Sequence, residues 1–195
     1  MDSLIHKFNI QIMTSKEFKK ILINTAEKPA AGKTFQDIIK DSDPLGFLRA
    51  IVDFGNWPAL NLISEVEKTP QERQLVVLIN AFSLAIDSGG IEQLVTDSET
   101  GALFDQLLTC CKTIEANRAV EYLQKMASLF PDARVTDDES MRIKLIASIK
   151  IRENIKNFRA LNREFSSAVP EAIEALRCFI VKNQDRFESV LSYAK

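Results

Sequence analysis

Gly89 and Gly90 stand side by side between two stretches that otherwise read as helix, Leu75 to Ile86 before them and Ile91 to Val95 after. This pair constrains the fold more than any other local feature, because adjacent glycines let the backbone take left-handed angles and approach a neighbouring element closely. One helix therefore ends here and the next starts at a sharp angle. Ser88, Gly89, Gly90 and Gln93 form the candidate joint or pocket, with the Gln93 side chain able to supply both a donor and an acceptor. The pair matches neither nucleotide template. It lacks the further glycine of a dinucleotide fingerprint and the lysine plus hydroxyl of a P-loop.

Helical spacing surrounds the joint. Thr69-Pro70-Gln71-Glu72 reads as a capping residue, a first-turn proline and a reciprocal acid opening a long helix. Its body, Leu75 to Ile86, is apolar on most sides and predicts a central, buried helix. Upstream, Thr34 to Lys40, Asp43 to Phe54 with Pro44 at the first helical position, and Trp57 to Lys68 with Pro58 likewise, read as short helices. The first thirteen residues alternate loosely as an extended arm, a helix follows Ser15 as N-cap, and Pro29 to Gly32 connects it onward. Downstream, one helix carries Leu103 to Cys111 and another runs from Asn117 to Phe130, where Pro131 stops it. A further helix opens with a second capping box, Thr136-Asp137-Asp138-Glu139, and continues to about Phe165, and Pro170-Glu171 begins the last. No strand pattern competes. The expected class is all-α: a compact multi-helix domain over residues 69–195, with residues 1–68 as an arm and short helices extending it. Stacking of helix pairs of roughly 35 residues, as in an α-solenoid, is the alternative.

A chain of 195 residues, 46% hydrophobic and 27% charged, can build its core without metal or disulfide. Cys110 and Cys111 are adjacent, which disfavours an ordinary disulfide between them, and with Cys178 they read as reduced and buried. His6 is the sole histidine, so neither a nucleophile-base pair nor a zinc site has much to build on. Asp137-Asp138-Glu139 reads as a helix N-terminus favouring negative charge rather than as a cation site. No catalytic residue, metal ligand or cofactor is expected. Asp2, His6, Lys7, Asn9 and Gln11 break any signal-type core, and no unbroken apolar run approaches the roughly 18 residues of a membrane span, so a cytoplasmic protein is expected.

Charge is distributed unevenly. Residues 74–139 carry eleven acidic and four basic residues, net −7, and no basic residue lies between Arg73 and Lys112. Residues 141–163 reverse this with seven basic residues and one acidic, net +6. Asp87, Glu92, Asp97, Glu99 and Asp105 are the candidate acidic, partner-binding surface. Arg152, Lys156, Arg159 and Arg163 recur at spacings of four, three and four on one helix face and are the candidate basic surface, read first as a solvated face and second as a nucleic-acid site.

With these elements placed, the run from about Pro70 to Arg186 resembles the DNA-mimic-protein-like family, a bacterial family whose best-known member is a DNA mimic. The family's signature, Asn-Gly-Gly-aromatic-x-Gln-aromatic followed by Asn or Ser and then Gly, is matched by Ser88-Gly89-Gly90-Ile91-Glu92-Gln93-Leu94, then Asp97-Ser98 and Gly101. Ala119 to Pro131 takes the place of its helix pair, and Asp138 to Arg142 that of its acidic-x-x-x-Arg segment. Ser88 replaces asparagine, and Ile91 and Leu94 replace the aromatic residues. The resemblance implies an all-helical fold, no known enzymatic activity, a homodimer, and in the mimic member an acidic surface that occupies a regulator's DNA-binding face. The favoured reading is a non-enzymatic protein-interaction module. The alternatives are an enzyme or small-ligand receptor with a pocket at the Gly-Gly joint, and direct nucleic-acid binding through the basic helix.

Overall fold

The computed structural model describes residues 30, 32–55, 62–152 and 154–192. Among them ten α-helices follow in order: α1 (Phe35–Ile39), α2 (Pro44–Phe54), α3 (Leu62–Lys68), α4 (Gln71–Thr96), α5 (Ser98–Ala102), α6 (Phe104–Thr113), α7 (Asn117–Ala127), α8 (Glu139–Arg152), α9 (Asn154–Lys182) and α10 (Gln184–Ser192). No strand occurs among the described residues, and the all-α expectation holds. The N-terminal arm with His6, the helix after Ser15 and the helix start at Pro58 lie outside the described residues.

Several helices open as local chemistry dictates. Thr34 and Asp37 make a reciprocal capping box on α1, with Asp37 N–H donating to Thr34 Oγ1 at 3.2 Å and Thr34 N–H to Asp37 Oδ2 at 2.9 Å. Pro44 starts α2 behind Asp43, whose Oδ2 accepts from Gly46 N–H at 2.8 Å. Two caps depart from expectation. Pro70 rather than Thr69 is the N-cap of α4, without a side-chain cap, because Glu72 is nearly buried and pairs with Arg186 of α10 instead of reaching back. At α8, Asp138 is the capping residue: its Oδ1 accepts Met141 N–H at 2.9 Å, while Thr136 Oγ1 only receives Asp138 N–H at 3.3 Å.

The helix expected from Asp138 toward Phe165 is described as α8 and α9, on either side of residue 153. Pro170 does not begin a helix but lies inside α9. A proline there removes one backbone hydrogen bond and costs roughly 3 kcal/mol. Tertiary packing offsets this, since Phe165, Ala168, Val169, Ala172, Ile173 and Leu176 on both sides of it form one buried stripe. Each large apolar side chain kept in the core contributes about 1.5–3 kcal/mol.

α4 is the hub on which α2, α3, α5, α6, α8, α9 and α10 all pack. By length and composition it is apolar enough to cross a membrane, yet 56% of its most apolar stretch is buried inside the protein, so its central position accounts for its character. α9 packs against α1, α2, α4, α7, α8 and α10. A solenoid repeat touches only its neighbours, whereas α9 ties together helices distant in sequence, and the architecture is a compact bundle. Phe35, Ile38, Phe47, Ile51 and Val66 of α1–α3 join the same core as Phe82, Leu94 and Phe165. Cys110 and Cys111 are buried as expected, but Cys178 is exposed on α9, with its Sγ 3.5 Å from Glu174 Oε1. It stands two residues past Leu176, off the buried stripe.

Candidate functional site

The Gly89-Gly90 joint lies within α4, where Gly90 alone leaves helical geometry, at φ +69° and ψ −150°. The new segment needs an acceptor for its first free N–H, and Asn162 of α9 supplies it: Ile91 N–H donates to Asn162 Oδ1 at 2.8 Å. A Cβ on Gly90 would lie 2.0 Å from that same oxygen. The joint is therefore filled by a side chain of the protein itself. Ser88 Oγ donates back to Ala85 O at 3.1 Å, and Gln93 is half-buried beside Gly89, where an added Cβ would come within 2.9 Å of the Gln93 Cβ.

One turn further on, the end of α4 meets Arg142. This side chain is fully buried, and all of its hydrogen bonds go to backbone carbonyls. Nε donates to Val95 O at 2.7 Å, Nη2 to Asp97 O at 3.1 Å, and Nη1 to Thr136 O and Asp137 O at 2.9 and 2.7 Å. Val95 O lies in the last turn of α4, where carbonyls carry partial negative charge and lack intrahelical donors. Thr136 O and Asp137 O belong to the loop before α8, and Asp97 O, which also accepts Gly101 N–H at 3.1 Å, to the start of α5. Burial lowers the Arg142 pKa from its ordinary value, against the opposing pull of Glu139, Asp137, Asp97 and Asp138. Gly101 makes room for this contact: a Cβ there would stand 2.2 Å from Val95 O and 2.5 Å from Arg142 Nε. In the sequence Arg142 is one charge of the basic run and the arginine of the acidic-x-x-x-Arg segment, and neither marks it as buried. Its spacing of four from the capping Asp138 was the available signal.

The five acidic candidates divide by role. Asp97 is half-buried and caps α5, its Oδ1 accepting from Glu99 N–H at 3.1 Å and Thr100 N–H at 2.9 Å. Glu99 Oε1 accepts from Leu62 N–H at 3.3 Å, fastening α3 to α5. Glu92 and Asp105 are exposed but paired, with Lys150 Nζ at 2.8 Å and Arg134 Nε at 3.2 Å. Asp87 is exposed beside the joint. Of the basic candidates, Arg159 and Arg163 are exposed one turn apart on α9, and exposed Arg152 donates through Nη2 to Leu129 O at 3.2 Å. Lys156 belongs to α9, but its side chain lies outside the described residues.

A cavity of about 10 Å³ between α3, α4, α5 and α6 is lined by apolar side chains and Thr100, whose hydroxyl already donates to Leu94 O at 2.9 Å. That volume holds about one water. Among the described residues no group of three His, Cys, Asp or Glu side chains is placed to hold a metal ion.

Fold and site together define a class: an all-helical domain in which glycines, a buried arginine and capping carboxylates brace one bend of a central helix. The chain belongs to the DMP19-like protein family, whose model matches residues 67–183, from the end of α3 through the whole of α9. Comparison with curated proteins and with solved structures gave no match.

Proposed function

We propose that the chain is a non-enzymatic, cytoplasmic protein-interaction module that works through its outer surface, as a homodimer, with DNA mimicry toward a basic regulator as its specific form. The supporting observation is the closed joint. Of the residues that carry the family signature, Gly90, Gly101 and Arg142 are engaged in internal architecture, and Asn162 fills the space beside Gly90 and accepts the Ile91 N–H. That filling favours an architectural joint over a ligand pocket.

Asp87, Glu92 and Asp105 are the carboxylates through which a basic partner would bind. Surface ion pairs such as Glu92 with Lys150 contribute only about 0–1 kcal/mol, so a partner's arginines can exchange for the internal cations. Asp97 and Glu99 stay committed to helix caps and take a lesser part. Direct nucleic-acid binding through Arg152, Lys156, Arg159 and Arg163 is less well supported, because Arg152 already serves the Leu129 carbonyl.

The test is capture of a DNA-binding protein from the native cell, followed by titration with salt and with competing DNA. Mimicry requires that binding fall at least about tenfold between 50 and 200 mM salt and that DNA displace the partner. It also requires that neutralising Asp87, Glu92 and Asp105 together weaken binding. A partner indifferent to salt, DNA and these three charges would end the mimic reading.

A further inference from the structure

We infer that α10 is a releasable strap over a helix-docking groove between α4 and α9, and that this groove fits a partner's amphipathic helix carrying a cation directly before an aromatic residue. Neither the acidic surface nor the dimerisation proposed above enters into it. α10 packs on α4 and α9. It turns off the end of α9 at a single residue, Asn183, whose carbonyl accepts Arg186 N–H at 3.1 Å and Phe187 N–H at 3.3 Å. Among the described side chains of α10 one large apolar group, Phe187, is fully buried, edge-on to Phe179 of α9 with ring centroids 6.1 Å apart. By contrast, α1 and α2 bury Phe35, Ile38, Ile39, Phe47, Leu48 and Ile51. A short helix held by one anchor opens at far lower cost than helices woven into the core.

The groove itself defines what it accepts. Glu72, in the first turn of α4, is nearly buried there, and its carboxylate pairs with the exposed Arg186 guanidinium. If α10 left, that carboxylate would lose this cation inside a largely dry cleft, so an occupant must bring a positive charge to the same point. One residue further on, the space against Phe179 takes an aromatic ring. Gln184 and Val190, three residues to either side of Phe187, are half-buried on the same face, and Gln184 Oε1 accepts from Gln36 Nε2 of α1 at 3.0 Å. A helix of about two turns, with a cation and an aromatic residue in succession and an aliphatic residue three positions later, meets each of these points. The family match ends at residue 183, so Glu72 and Phe179 lie within the shared domain while Arg186 and Phe187 lie beyond it. The groove therefore belongs to the matched domain and its present occupant to the chain that follows.

A fluorescent peptide of residues 183–195, titrated by anisotropy against the full chain, tests this. Phe187→Ala removes the anchor of α10 and is expected to bind the peptide at least about tenfold more tightly than the wild type, whose tethered α10 competes at roughly millimolar effective concentration. The peptide carrying Arg186→Glu is expected to bind at least about tenfold more weakly, because it sets a carboxylate beside Glu72. Arg186→Glu in the full chain, at an exposed position that leaves the core intact, opens the groove by a second route and should take up the unaltered peptide as well. In hydrogen exchange of the wild type, α10 is expected to open as one unit at least about a hundredfold more often than α4 and α9. Exchange of α10 in step with α4 and α9 overturns the strap. A peptide bound by neither open variant overturns the docking site, and if the Phe187→Ala chain instead pairs with the wild-type chain, the occupant is a second copy rather than a partner's helix.

Discussion

Replacing Gly90 by alanine tests whether the joint is held as described. At φ +69° and ψ −150° the backbone occupies a region essentially restricted to glycine, and a side chain there costs about 1–3 kcal/mol in strain. The new Cβ would also stand 2.0 Å from Asn162 Oδ1, a distance no contact tolerates, so Asn162 must swing away. Ile91 is fully buried, and its N–H then loses its acceptor, which costs roughly a further 1–3 kcal/mol. The sum, about 2–6 kcal/mol, is a large share of the roughly 5–15 kcal/mol that holds a typical domain. Asn162→Ala alone should cost only the acceptor, about 1–3 kcal/mol. In that background Gly90→Ala should cost only the strain, because clash and lost bond are already accounted for. The double variant is therefore expected to be less destabilised than the sum of the singles by about 1–3 kcal/mol. Urea unfolding with an unchanged m-value measures all three. Simple additivity, or a Gly90→Ala cost below about 1 kcal/mol, would refute the proposed coupling.

Arg142→Met should destabilise by about 3–5 kcal/mol, since it strips four carbonyls of a charged donor group, and Arg142→Lys should recover only part of this because an ammonium cannot span the same fork. Denaturant midpoints check both; a loss under about 1 kcal/mol for the methionine variant contradicts the bracing role. In the folded protein one thiol, Cys178, should react rapidly with a thiol reagent, and all three only in denaturant; fast labelling of Cys110 or Cys111 would contradict their burial. Burial pushes the Cys111 thiol up to about 12 from 9.0 and raises Cys110 as well. The unfolded chain thus releases these protons first, and stability should fall as pH rises above about 9, by up to about 1.4 kcal/mol per pH unit for each thiol. Removal of Cys111 by Cys111→Val should flatten that decline measurably. Pro170→Ala should stabilise by about 1–3 kcal/mol by restoring an N–H inside α9, as a rise in the urea midpoint; a fall would mean that the proline is required there.

The joint was legible because glycine is the one residue whose conformational freedom is written in its identity. Its partner was not, since Asn162 lies 71 positions from Ile91 and no local pattern links them. Asp43-Pro44 and Thr34 through Asp37 were readable for a similar reason: a cap is closed within one helical turn. Glu72 follows the same local pattern at α4 but turns to Arg186, a residue of another helix. Charge counting likewise grouped the carboxylates Glu92, Asp97, Glu99 and Asp105, and the fold gave them separate tasks, as ion pairs and as caps.

By itself, then, the sequence determined what is settled within a few residues of chain: the all-helical class, the bend at Gly90, the turns and most of the helix starts, because period, caps and glycine act locally. Only the tertiary structure decided which side chains fill that bend and brace it, why α9 runs on through Pro170, and which charges remain at the surface. Those outcomes depend on burial and on polar groups meeting across helices far apart in sequence, where the cost of an unsatisfied carbonyl or an exposed apolar stripe outweighs local preference.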